Sequence, residues 1–158
     1  MTRILGHCVI PVLVLGAGCA SGGGGGSSAL FQRNVGNASR PDALDRSLRI
    51  VHQFQYEILR QDDGTDIRIE THWKPRVPFD DEIVLGITAA ETRLIITANL
   101  RNDLKATASY DVNLTIENRV RTGGDENWTM NTVTGMFREY ADQVTSDFKR
   151  ELTIGVRR

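Results

Sequence analysis

Apolar residues recur along this chain with two different spacings, and the changes between them divide it into elements. Leu44, Leu48 and Val51 fall at i, i+4 and i+7, with Ala43 and Ile50 flanking, which predicts a helix running to about Phe54. Ahead of it, Asn37-Ala38-Ser39-Arg40-Pro41 carries turn chemistry, with Ser39 as N-cap and Pro41 close to the first turn. Phe31 to Val35 is a short first strand. Beyond the helix the spacing drops to two. Tyr56, Ile58 and Arg60 lead into Asp63-Gly64, a strong hairpin signal, and Ile67, Ile69, Thr71 and Trp73 alternate with Arg68, Glu70, His72 and Lys74.

The two clearest strands follow. Leu94, Ile96, Ala98 and Leu100 alternate with polar residues, and so do Tyr110, Val112, Leu114, Ile116 and Val120. Glu82 to Thr88 adds a further candidate strand before them. Pro75 and Pro78 make residues 74–81 a loop or a sheet edge, because proline cannot donate to a ladder. After the Gly123-Gly124 turn the helical spacing returns: Phe137, Tyr140, Val144, Phe148 and Leu152 share one face. The order strand, helix, strands, helix predicts an α+β domain. Its antiparallel sheet has four to five strands, with one face covered by two helices and the other polar and wet.

The first residues follow neither spacing. Arg3 precedes an apolar stretch, residues 4–18, interrupted by Gly6, His7 and Pro11 and too short to span a bilayer comfortably. Leu15-Gly16-Ala17-Gly18-Cys19-Ala20-Ser21 resembles the lipobox of bacterial lipoproteins, with Gly16 where that family usually carries leucine. The resemblance implies cleavage after Gly18, acylation of Cys19 and, with no Asp after the cysteine, sorting to the outer membrane, facing the periplasm. Gly22 to Gly26 and Ser27-Ser28 then form a tether. The Lys-Ser/Thr that would turn a glycine run into a phosphate-binding loop is missing. The expected division is a signal peptide over 1–18, a lipidated cysteine and tether over 19–38, and a single domain over 39–158.

Charge and cysteine content narrow the function. Lys and Arg number 19 against 20 Asp and Glu, so the chain has no basic footprint for nucleic acid. Its cysteines are Cys8 and Cys19, and cleavage after Gly18 leaves one acylated sulfur, which rules out disulfide or thiol chemistry in the mature chain. His52, His72 and Asp80-Asp81-Glu82 lack metal-ligand spacing, and no nucleophile is paired with a base. No enzyme, metal or cofactor is expected.

The succession Ile69-Glu70-Thr71-His72-Trp73, Asp80-Asp81-Glu82 and Arg93 resembles the helix-grip domain of BamC-type lipoproteins, accessory members of the outer-membrane protein assembly machine. His72 stands where that family more often has Asp, and this chain has one such domain where BamC has two. The resemblance implies a helix-grip-like fold over about residues 42–153 and a non-catalytic scaffold or accessory role with an envelope protein partner. The alternative is a periplasmic module that binds a small apolar ligand between sheet and helix. Inward bulk at Trp73, Tyr110, Phe137 and Phe148 favours the scaffold. Trp73 continues the inward stripe of its strand, which favours core packing. The Pro-bounded stretch containing Trp73, Lys74, Pro75, Arg76 and Phe79 is the alternative use of these residues, as a partner-binding surface.

Overall fold

The computed structural model describes residues 30–101, 109–130 and 132–155. Cys19, the expected signal peptide and the greater part of the expected tether lie outside them. The elements are β1 (Phe31–Ala38), α1 (Arg40–Gln53), β2 (Ile58–Asp63), β3 (Ile67–Thr71), β4 (Lys74–Arg76), α2 (Asp80–Val84), β5 (Ile87–Arg101), β6 (Ser109–Thr122), β7 (Thr129–Met130) and α3 (Gly135–Gly155). Among the described residues the seven strands form one antiparallel sheet in the order β1-β6-β5-β3-β2. The short strand β4 continues the β3 side of β5, and β7 continues the β1 side of β6.

Local chemistry fixes the ends of α1. The Ser39 hydroxyl accepts the Asp42 N–H at 3.3 Å, supplying one of the partners that a helix N-terminus lacks. After Phe54, Gln55 takes the left-handed conformation, φ 57°, and turns the chain towards β2. The core lies between one face of the sheet and the helices α1 and α3. Leu94, Ile96 and Ala98 of β5 face it together with Val112, Leu114 and Ile116 of β6 and Ile67 and Ile69 of β3. From α3 come Phe137, Ala141, Val144, Phe148 and Leu152, spaced three and four apart, and from α1 Ala43, Ile50 and Val51. β1 closes the layer: Phe31 and Val35 are buried beside α3, and Gly36 at φ 135° carries the bulge that keeps the strand paired with β6.

The expectation of four to five strands under two helices is overturned. Among the described residues the sheet has seven strands, there are three helices, and strand outweighs helix. β4 and β7 are three and two residues long, too short for alternation to announce them. Residues 82–84, expected within a strand, belong to α2, where the Glu82 carboxylate accepts the Phe79 N–H at 2.9 Å. Asp80, Asp81 and Glu82 fill the first turn of α2, where negative charge is favourable. One turn is too short to show a 3.6-residue period.

Candidate functional site

The segment after β3 is built around a one-residue slip. Glu70 of β3 lies opposite Ile95, whereas Lys74 of β4 lies opposite Thr92 instead of Glu91. One extra residue in this chain exchanges inward and outward sides. Ile67, Ile69 and Thr71 point into the core, and after the slip Lys74 and Arg76 do so. Trp73, which strict alternation would place in the core, comes out on the uncovered face.

There two guanidinium groups lie over its ring, Arg93 at 4.8 Å and Arg119 at 4.4 Å from the ring centroid. Arg119 also covers Trp128 at 4.7 Å, and Arg121 lies over the same ring at 5.2 Å. Arg93 is held by Glu117 at 2.5 Å, and Arg119 by Glu91 through its Nε at 2.6 Å. Two tryptophans and three arginines thus form a continuous stack across the open side of β5 and β6. Cation–π contacts of this kind contribute about 0.5–1 kcal/mol each at exposed sites. A cleft of about 190 Å³ opens beside the stack, lined by Gln55, Glu57, His72, Trp73, Lys74 and Pro75.

The other residues of the Pro-bounded stretch separate. Lys74 donates to the Phe54 carbonyl at 2.7 Å and lies over the Tyr56 ring. Arg76 makes a bidentate pair with Glu82 at 2.7 and 2.6 Å and donates to Asn118 Oδ1 at 2.9 Å, under the rings of Phe79 and Phe137. Phe79 packs on Tyr140, with ring centroids 5.9 Å apart. Arg76 and Phe79 therefore join α2 and α3 to the sheet and Lys74 ties β4 to the end of α1, while Trp73 and Pro75 face outward.

Next to that pair, the buried Tyr56 hydroxyl bonds to Thr92 at 2.6 Å and to Tyr140 at 3.1 Å. Burial, reinforced by the neighbouring Tyr140, pushes its phenol above the ordinary tyrosine range, so it stays protonated. A fully buried carboxylate matched to a fork-shaped cation is a clamp, with its oxygens committed to Arg76, Asn118 and the Phe79 amide.

His52 and His72 are both exposed. The three consecutive carboxylates serve three ends: Asp80 is exposed, Asp81 accepts the Met136 N–H at 2.9 Å, and Glu82 is enclosed. Cys19 lies outside the described residues. Sequence reasoning passed over Arg93, Arg119, Arg121 and Trp128 as parts of a site. The outward alternation of Glu117, Arg119 and Arg121 was readable, but their meeting with Trp73 depends on the slip. No family model matches this chain, and no curated protein matches it.

Proposed function

We propose that this chain is a lipid-anchored envelope protein that works by holding another envelope protein against its open sheet face, without catalysis. The observation that carries this is the Arg93–Trp73–Arg119–Trp128–Arg121 stack beside an open cleft. Tryptophan and arginine dominate the energetics of protein interfaces, above all where an aromatic ring borders a pocket. The ion pairs to Glu91 and Glu117 hold the stack in shape before a partner arrives, which reduces the ordering cost of association. Arg121 makes no ion pair among the described residues, so its charge is available. The fitting partner presents a carboxylate to Arg121 and an apolar side chain to the cleft.

Support for the anchor comes from the sequence around Cys19, and the BamC-like residues point to the outer-membrane assembly machine as the place to look for the partner. For a small apolar ligand, the interior offers little room. Phe137, Phe148, Ile50, Leu94 and Leu114 are fully buried between sheet and helices.

The test is capture from gently solubilised membranes, comparing wild type, Cys19→Ala and a Trp73→Ala/Arg121→Glu variant with unchanged melting. Recovery of the assembly machine by wild type, at least tenfold reduced in the face variant, is the expected result. Equal recovery by wild type and face variant would remove the open face from the reading.

A further inference from the structure

Large apolar side chains are not spread evenly over the surface. Among the described residues nine are exposed, and six of these, Val77, Ile83, Val84, Leu85, Met130 and Met136, lie at one end of the sheet. The pairings put them there. Arg76 lies opposite Ala90, near the start of β5, and Val77 follows it. Residues 83–85 lead through Gly86 into β5, and the Gly86 carbonyl accepts the Gly123 N–H beyond the end of β6. Met130 lies opposite Arg119, and the Met136 N–H is bonded to Asp81 of α2. Ile83, Val84 and Leu85 are 54%, 86% and 62% exposed, an uninterrupted apolar run on one helical turn of which folding buries little.

β1 starts at this same end. It runs from Phe31, opposite Ile116, to Ala38, opposite Tyr110, so its first residue lies towards Glu117 to Thr122. Ten residues separate Cys19 from Leu30. Whatever its path, a chain of that length spans at most about 40 Å. An acyl chain on Cys19 therefore keeps this end of the domain within that reach of the headgroups.

We infer that the end formed by Val77, Ile83, Val84, Leu85, Met130 and Met136 rests on the lipid surface to which the chain is anchored. The inference builds on the anchoring proposed above. These six side chains are aliphatic or thioether and are exposed together at one end, which suits insertion between headgroups better than a protein interface rich in aromatics. Asp80, Asp125 and Glu126 are exposed near it, so zwitterionic headgroups suit it better than anionic ones.

The experiment uses the full chain, exported and purified, with Val84→Cys labelled by an environment-sensitive dye and reconstituted into zwitterionic phosphatidylcholine vesicles containing brominated lipid. Intact mass reports acylation of Cys19, and Asn99→Cys, on the open face towards the opposite end of β5, is the control. The expected result is blue-shifted emission and at least threefold quenching at position 84, neither at position 99, and weaker quenching in phosphatidylglycerol. An acylated protein whose label at 84 stays in water overturns the inference and leaves the anchoring intact. A shift at 84 seen only in native envelopes, and not in pure lipid, assigns this end to a protein and also overturns the inference. Absence of an acyl group on Cys19 overturns the anchoring and the inference together.

Discussion

Glu82 and Arg76 show how a charged pair behaves when folding encloses it. The carboxylate is fully buried, and its oxygens are taken by the Arg76 fork, Asn118 and the Phe79 amide. Removing one partner leaves the other charge enclosed and uncompensated, so Glu82→Ala is expected to cost about 3–5 kcal/mol in urea unfolding. A loss below about 1 kcal/mol would mean that water reaches Arg76 freely. Tyr56 gives a signature in alkali. Burial raises its folded pKa above the unfolded value of about 10, so the folded protein keeps a proton that the unfolded chain releases. Its contribution is complete below pH of about 10 and declines as pH rises above that value. Tyr56→Phe is expected to flatten the fall of melting temperature between roughly pH 10 and 11.5. Parallel curves for both proteins would refute that assignment.

At the scale of elements, α3 owes its place to a stripe and not to its propensity. Phe148 is fully buried, so Phe148→Ala removes a ring from the middle of that stripe and is expected to cost about 3–5 kcal/mol in chemical denaturation, with the sheet retained by circular dichroism. That stripe was legible in the sequence, as were the alternations of β5 and β6 and the start of α1, because each persists over several periods. The elements that escaped are short. β4, β7 and α2 exist through neighbours, since β4 and β7 pair with unused edge on the long central strands and α2 is held through Glu82. Trp73 illustrates the finer limit. Alternation predicts which side a residue faces only while the register holds, and a one-residue slip opposite β5 reverses it. Nothing local in Thr71-His72-Trp73-Lys74 marks that slip. It follows from where β5 sits, and therefore so does the candidate site.

At the scale of the whole, the described residues present regions of different character. One face of the sheet is filled, the other carries the tryptophan–arginine stack, the end beside Val77 and α2 is apolar, and the outer edge β2 is charged, with Arg60 and Asp62 paired at 2.7 Å. A charged edge discourages pairing with a second sheet. The seam that completes the whole joins residues far apart in sequence: Asn34 of β1 bonds to Asn113 of β6, 79 residues later, and Val35 is buried beneath α3. For a chain synthesised from its N-terminus, this arrangement acts as a timer. Phe31 and Val35 are made early and find their partners only when β6 and Phe148 have followed. The sheet thus closes only after nearly all of it has been synthesised, and maturation of the domain waits on its last helix.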